Sequence, residues 1–295
     1  MKKIFIFFIF YPLIVHDFIH SMYKKIDCST KPCLTSAQKL LSTLTFNGEE
    51  SVLDIECGNG GTTALIAKNL HDGFVYGIAA SESAIKLARI KHKDNDTLSF
   101  MHMRAEEILF NNEYNIVTAF SCFHWFRNQY ELLVQINQSL KPDGIFLATI
   151  EFHDDNYNDI ITSLLKTCCI EKWKKHCHPE IFNQNYKVYL AAHCMAHNHE
   201  SITVMLNKSG FRTINLEYIE EKIIFSNKSK FIKQVTNWLD HLSLFSSIHE
   251  TEKLNFIMDA VDYYTNNYKS VHDDKSIEYL NRQLLVHAMK DVKNN

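Results

Sequence analysis

Apolar and polar positions alternate with two different periods along the first half of the chain. Short runs rich in β-branched and aromatic residues predict five strands, at Ser51–Cys57, Phe74–Ala80, Leu98–Met103, Asn115–Ser121 and Gly144–Phe152. Apolar residues spaced three or four apart predict helices before and between them, at Thr35–Thr45, Thr62–Leu70, Glu82–His92 and Asn128–Leu140. Because strands with near-continuous apolar runs alternate with helices, the pattern predicts a parallel sheet covered on both faces.

The second half of the chain is richer in helical periodicity. The same spacing predicts helices at Ile160–Lys175, Ser201–Lys208, Lys230–Leu242 and Lys253–Asn267. Two further strands are predicted at Thr213–Phe225 and Arg282–Met289. Gly210 follows one of these helices at the position where a glycine commonly ends a helix.

Composition narrows the class of protein without changing this picture. The 295 residues are 46% hydrophobic and 22% charged, which is ordinary for a globular chain and excludes a largely disordered one. A net charge of −3 argues against a nucleic-acid binder that relies on bulk charge. The eight cysteines are too sparse for a disulfide scaffold, so we expect reduced thiols and a cytoplasmic location.

The first residues differ from the rest of the chain. Lysines at positions 2 and 3 precede the apolar run Ile4–Val15, which has the form of a short signal or anchor segment. No small-residue cleavage site follows, and a second methionine stands at Met22. Residues 1–21 are therefore treated as an extension, and a non-native upstream start, a signal and a membrane anchor all stay open. Elsewhere no run reaches the roughly 18 apolar residues that a membrane span needs.

A glycine-rich turn follows the first predicted strand. Residues Val52–Gly60 read V-L-D-I-E-C-G-N-G, which resembles motif I, V-L-D-I-G-C-G-T-G, of class I S-adenosylmethionine-dependent methyltransferases. The later motifs of that family are matched in order by Gly77–Ser81, Ala105-Glu106, Ile116–Phe126, Leu140–Gly144 and Ser209–Phe211.

The resemblance implies a fold and a cofactor. The expected fold is an α/β, Rossmann-like, seven-stranded, mostly parallel sheet with an antiparallel last strand, formed by residues 22–295. Helical segments around 156–200 and 226–275 are expected to form a cap over the acceptor site. The expected cofactor is S-adenosylmethionine, and the positions implied to bind it are Asp54, Glu56, Cys57, Gly58, Gly60, Ala79, Ser81, Arg104, Ala105 and Ser121.

A narrower similarity concerns the methyl acceptor. His124-Trp125, an upstream Gln38 and the C-terminal string Q-L-L-V-H-A-M-K resemble the trans-aconitate and juvenile-hormone-acid methyltransferases. This implies a small carboxylic acid, with Gln38 and Trp125 donating hydrogen bonds to its carboxylate and His124 lining the same mouth. The alternatives are a solvated or capping Gln38, a core Trp125 and a packing His124. Since the acceptor carboxylate is already ionised and the methyl already activated, we expect catalysis by alignment, without a catalytic base or metal.

Three residues depart from the cofactor motifs. Glu56 replaces a glycine, and we expect its side chain where the backbone normally approaches the methionine portion of the cofactor. Ala79 replaces the acidic residue that binds the ribose hydroxyls, and Arg104 replaces the acidic residue beside the adenine. A hydrogen bond to a charged acceptor is worth roughly 1.5–3 kcal/mol, so the loss at Ala79 predicts about a tenfold to hundredfold weaker site. A catalytically degenerate relative that binds a ligand or a protein partner is therefore the alternative function.

Other chemistries have weaker support. The string Ser121–Trp125 lacks the Asn/Asp-Pro-Pro-Tyr pattern of base methyltransferases, the acidic pair of arginine methyltransferases and the aspartate that would bind magnesium. A stretch rich in possible zinc ligands contains Cys168, Cys169, His176, Cys177, His178, His193, Cys194, His197 and His199. A zinc site there is the alternative to a Cys- and His-rich helical lid. The sequence does not indicate an oligomeric state.

Overall fold

In this computed structural model the described residues are 31–126, 128–151, 160–177, 199–239, 248–268 and 270–291. The extension at residues 1–21 lies outside them, as do parts of both predicted cap segments. Within these ranges no helix is both long and apolar enough to cross a membrane.

Seven strands form one sheet. They are β1 (Ser51–Ile55), β2 (Phe74–Ala79), β3 (Leu98–His102), β4 (Tyr114–Phe120), β5 (Leu140–Glu151), β6 (Phe211–Phe225) and β7 (Ile277–Lys290). Their order is β3-β2-β1-β4-β5-β7-β6, with β1 to β5 pairing in parallel and β7 antiparallel to β5. The predicted Rossmann-like sheet with an antiparallel last strand is confirmed.

Helices follow most strands. They are α1 (Lys31–Leu41), α2 (Gly61–Ala67), α3 (Glu82–Lys91), α4 (Gln129–Ser139), α5 (Ile160–Cys168), α6 (Glu171–Lys174), α7 (His199–Lys208), α8 (Lys228–Leu239) and α9 (Glu250–Asn267). The prediction for Gly210 is confirmed, since it follows α7 with φ +83°.

Several predicted boundaries were wrong: the first helix begins and ends four residues earlier than predicted, and the last strand begins at Ile277 instead of Arg282. Two further differences change how an element is built. The single helix predicted at Ile160–Lys175 is two helices, because Ile170 is extended (φ −72°, ψ 135°) and begins α6 instead of continuing α5. The strand predicted from Gly144 starts at Leu140, which pairs with Tyr114 before the register shifts. The motif segment Leu140–Gly144 therefore lies within β5 as an irregular segment, in which Asp143 has φ +58°.

The chain divides into two compact units. One, the sheet unit, comprises residues 26–154, 193–221 and 281–295, and the other includes 155–192 and 222–280 and is called the helical unit. In the sheet unit, Ala37, Leu40 and Leu41 of α1 join a buried cluster with Val52 and Ile66. α1 is therefore stabilised by burying its apolar face, while its other face is polar and meets solvent.

The helical unit has its own apolar contacts. Trp173 is buried, its indole Nε1–H donates to the Asp259 carboxylate at 2.7 Å, and its ring lies 5.3 Å from that of Phe256. Phe231 of α8 lies 5.4 Å from the ring of Tyr264 in α9. These contacts hold α6, α8 and α9 together. That this unit covers an acceptor site stays a prediction.

Candidate functional site

The motif residues lie at the carboxyl ends of four neighbouring parallel strands. Glu56 to Gly60 follow β1, Ala80-Ser81 follow β2, Arg104-Ala105 follow β3, and Ser121 follows β4. The strand order changes direction between β1 and β4, so one connection from β1 goes to each side of the sheet. Ligands in open α/β sheets bind at such a switch point, outside the carboxyl ends of the strands.

The turn after β1 has left-handed backbone at alternate residues. Positive φ angles occur at Glu56 (54°), Gly58 (55°) and Gly60 (82°). At Gly60 a Cβ atom would come within 2.8 Å of the Phe100 ring, so only glycine fits there without displacement of the ring. Glu56 has no such freedom, and a left-handed angle costs a residue with a Cβ about 1–2 kcal/mol.

The Glu56 side chain bends toward β2. It is 4% exposed, and its carboxyl Oε1 accepts a hydrogen bond from the backbone N–H of Ala80 at 3.3 Å. Burial raises the pKa of Glu56 to about 8, opposed by the Ala80 N–H and by Arg104 and reinforced by Glu106. The carboxyl is thus at the end of β2, beside the position where the family's acidic residue is missing.

Asp54 lies beneath the same turn and is held differently. Its Oδ2 accepts hydrogen bonds from the hydroxyls of Thr62 (3.2 Å) and Thr63 (2.7 Å), and its Oδ1 from Thr118 (2.7 Å). Burial raises the pKa of Asp54 to about 6, although these three donors oppose the rise. Asp54 therefore links β1 to α2 and β4. The three threonines were not predicted as site residues, because hydroxyl partners of this kind have no spacing signature.

The residues at the end of β2 and directly after it offer few polar side-chain groups to a ligand. Ala79 is 1% exposed and has no polar side chain. The Ser81 hydroxyl accepts a hydrogen bond from the Ala84 N–H at 3.2 Å, which caps the start of α3, and lies 3.0 Å from the Ser83 hydroxyl. Cys57 lies alongside and is 1% exposed, and burial raises the pKa of its thiol, which keeps the thiol neutral.

After β3, Arg104 replaces an expected acidic residue, and two acidic residues lie beside it. Its Nε lies 3.7 Å from the Glu106 carboxylate, and its backbone N–H donates to the Glu107 carboxylate at 3.2 Å. The positive charge is therefore offset by neighbouring acids. Ala105 is fully buried and begins a short 3-10 turn, Ala105–Glu107.

The end of β4 carries a buried polar chain that sequence analysis missed. Ser121, at φ 52°, donates its backbone N–H to the Thr149 hydroxyl at 2.7 Å. Its own hydroxyl accepts from the Gln283 amide at 3.3 Å, and the Gln283 Oε1 accepts from the Ser36 hydroxyl. This chain joins α1 and β7 to the switch point. Gln283 opens the C-terminal string that supported the family resemblance, and that was its one sequence signal.

The three residues predicted for the acceptor are in different surroundings. Gln38 is exposed on α1. His124 is 1% exposed, with Nδ1 accepting from the Glu151 backbone N–H at 3.2 Å and Nε2 lying 3.6 Å from the Glu151 carboxylate. The backbone of Trp125 belongs to the 3-10 turn Phe123–Trp125, but its side chain lies outside the description.

The cysteine- and histidine-rich stretch is described only in part. Cys168, Cys169 and Cys177 are free thiols, and no group of three potential metal ligands occurs in the described portion of the chain. His178, His193, Cys194 and His197 lie outside it. The zinc hypothesis therefore stays untested.

The site occurs in a domain with known relatives. Residues 52–144 match the family model described as a methyltransferase domain. The protein 235L of Invertebrate iridescent virus 6, named as a methyltransferase, is 29% identical over 139 residues, which are 47% of this chain and 50% of that one. The malonyl-[acyl-carrier protein] O-methyltransferase of Priestia megaterium is 30% identical over 107 residues, 36% of this chain and 39% of that one. The matches thus span half or less of these relatives.

Solved structures agree on the fold. A Bacillus halodurans protein described as a methyltransferase has a TM-score of 0.59 at 20% identity, covering 88% of this chain and 100% of its own. The Haemonchus contortus phosphoethanolamine N-methyltransferase 2 in complex with S-adenosylhomocysteine has a TM-score of 0.52 at 18% identity, covering 87% of this chain and 52% of its own. Residues 52–144 thus resemble a methyltransferase domain in sequence, and the seven-stranded sheet has the fold that the resemblance to class I methyltransferases implied.

Proposed function

Because residues 52–144 match a methyltransferase domain and the sheet has the order of that fold, we propose that the chain transfers a methyl group from S-adenosylmethionine to a small carboxylic acid. The observation that carries the cofactor assignment is the turn after β1, where left-handed backbone at residues 56, 58 and 60 lies at the switch point of the sheet. A carboxyl group at the end of β2 and the closely packed Gly60 fit the ribose and the close approach that such a cofactor requires.

The protein's contribution to the reaction is alignment. When bound, the cofactor supplies a methyl group that is already activated by its sulfonium. Asp54 holds the turn through three threonine hydroxyls, and the buried chain through Ser121 and Gln283 fixes the end of β4. Rigid positioning of the two reactants can supply several kcal/mol of the barrier without any proton transfer.

The acceptor assignment rests on three residues. We propose that Gln38 and Trp125 donate hydrogen bonds to the acceptor carboxylate, since Gln38 is exposed on α1 and available for contact. His124 is buried against Glu151. It would therefore contribute to the acceptor site indirectly, by holding the end of β5 in place. A relative named malonyl-[acyl-carrier protein] O-methyltransferase supports an acceptor that is methylated on oxygen. We further propose that the acceptor acid is apolar and that the protein acts in the cytosol.

A second candidate function is binding without catalysis. It is favoured by Ala79, which offers no ribose ligand, and by Glu56, whose raised pKa of about 8 leaves it largely neutral at pH 7. In this case the domain would bind a ligand or protein without transferring a methyl group.

Calorimetric titration of the full chain with S-adenosylmethionine and S-adenosylhomocysteine separates the two. We expect saturable micromolar binding, followed by methyl transfer to at least one member of a carboxylic-acid panel. The Gln38→Ala variant should lose transfer while keeping cofactor affinity. Folded protein that binds neither ligand at millimolar concentration would contradict the proposed enzyme and favour the binding-only function.

A further inference from the structure

Two of the sequence departures lie side by side in the sheet. β1 and β2 are neighbouring parallel strands with Ile55 opposite Ile78. The residues that follow, Glu56 and Ala79, are therefore adjacent across the two strands. The chain has an extra carboxyl group at one position and lacks the expected one at its neighbour.

The Glu56 side chain extends toward β2, the strand in which the expected acidic residue is missing. It accepts the Ala80 backbone N–H at 3.3 Å, so its oxygens lie at the carboxyl end of β2. An acidic residue at position 79 would place its carboxyl group at this same end of β2. The sequence-based expectation had placed the Glu56 side chain in the path of the methionine portion, but this hydrogen bond directs it toward β2.

Glycine at position 56 would be easier for the fold. Glu56 has a left-handed backbone (φ 54°) and a carboxyl that is 4% exposed, and both features are unfavourable. Strained backbone and buried titratable groups are concentrated at functional sites, where the ligand benefits from them. Glu56 combines the two at the switch point.

We propose that Glu56 supplies, from β1, the carboxylate that binds the ribose hydroxyls of the cofactor, in place of the acidic residue missing at Ala79. The two departures are then one exchange of a carboxyl group between neighbouring strands. This inference rests on the proposed function, because it assigns a residue to the same cofactor site.

The titratable groups around Glu56 belong to two strands, β1 and β3, and to the segments that follow them. Asp54 and Cys57 lie on its own segment, Arg104 and Glu106 follow β3, and His102 of β3 has its Nε2 3.0 Å from the Ala80 carbonyl oxygen. Arg104 favours the ionised carboxyl, and Glu106 opposes it. Ribose hydroxyls are donors, so binding them favours the ionised form as well.

A double-mutant cycle tests the exchange. S-adenosylhomocysteine affinity is measured for the wild type, Glu56→Gly, Ala79→Asp and the double variant, each as the full chain. Glu56→Gly should weaken binding about 10- to 100-fold, the range of one hydrogen bond to a charged acceptor. Ala79→Asp alone should not improve binding, because it places two carboxyls together. The double variant should recover to within a few-fold of the wild type.

Two controls make the result specific. Glu82→Gln removes a mostly exposed acid at the start of α3 that pairs with Lys86, and it should change affinity less than threefold. The 2′-deoxy analogue of S-adenosylhomocysteine should bind the wild type about tenfold more weakly, and Glu56→Gly should lose this discrimination.

Each outcome bears on a separate claim. If Glu56→Gly, shown to be folded by circular dichroism, binds S-adenosylhomocysteine as tightly as the wild type, the assignment of Glu56 is wrong while the proposed function stands. If the single effects simply add, the exchange with Ala79 is wrong. If the folded wild type binds no S-adenosylhomocysteine at millimolar concentration, the inference and the proposed function are both wrong.

Discussion

Asp54 and Glu56 are two buried carboxyl groups at the same end of β1, and they differ in backbone conformation and in hydrogen-bond partners. Asp54 accepts three threonine hydroxyls that tie β1 to α2 and β4. Glu56 has left-handed backbone and bends to the end of the neighbouring strand. Burial raises the pKa of both, to about 6 for Asp54 and about 8 for Glu56. The comparison distinguishes a carboxyl that holds the fold together from one that the fold accommodates at a cost.

Removing the Asp54 carboxyl should have the largest effect. Asp54→Ala leaves three buried hydroxyls without their acceptor, and we expect a loss of about 3 kcal/mol or more in the free energy of unfolding. Urea denaturation followed by circular dichroism measures this. Thr118→Val, which removes one donor, is the graded control at about 1–2 kcal/mol. A loss below about 1 kcal/mol for Asp54→Ala would show that this carboxyl does not hold the strands together.

The pH dependence of stability should separate the two carboxyls. A pKa that is higher in the folded state means that the folded protein binds more protons than the unfolded chain, so stability falls as pH rises. For Asp54 this window runs from about 4 to 6, and for Glu56 from about 4.5 to 8. Between pH 6 and 8 the Glu56 slope is at most about 1.4 kcal/mol per unit. Glu56→Gln should flatten the curve above pH 6 and keep the Asp54 decline. Parallel curves would show that Glu56 ionises normally.

Glycine at position 56 should stabilise the fold. Glu56→Gly removes both the left-handed strain and the buried carboxyl, and we expect a gain of about 1 kcal/mol at pH 7.5, reduced by the extra chain entropy of glycine. Thermal unfolding measures the gain. Higher stability with weaker cofactor binding is the signature of a residue kept for its ligand. A lower melting temperature would instead make Glu56 a packing residue.

The smallest effect is expected at a helix cap away from the carboxyl pair. The Asn128 side chain accepts the Glu131 N–H at 3.3 Å at the start of α4. Asn128→Ala should cost about 0.5–1 kcal/mol of stability and leave S-adenosylhomocysteine affinity unchanged. It serves as the reference for a purely structural loss. A large change in affinity would mean that stability and binding cannot be separated in this domain.

Much of the fold could be predicted from the sequence, because it depends on local periodicity. Five apolar runs and a glycine turn were sufficient to place β1 to β5 and the switch point. Among the boundary errors, the one at Leu140 arose because long-range pairing with Tyr114 extends β5, and the one at Ile170 because a single extended residue divides two helices. Local patterns carry no information of that kind.

The site was predicted less completely, because its polar contacts join distant parts of the chain. Asp54 was predicted, but Thr118, which is 64 residues away in sequence, was not. Glu56 was noticed as a departure, but the direction of its side chain depends on its φ angle and on the Ala80 N–H of the next strand. Ser36 and Gln283, separated by 247 residues, meet only in the folded protein.

The most direct test of the account is S-adenosylhomocysteine affinity between pH 6 and 9, measured by calorimetry for the wild type and Glu56→Gln. The ratio of the two affinities cancels the titration of the ligand itself. If the ligand binds the ionised Glu56 carboxyl, wild-type affinity should rise relative to the variant by up to about tenfold per pH unit and level off near pH 8. A ratio that stays constant across this range would contradict the assignment of Glu56 as the ribose carboxylate.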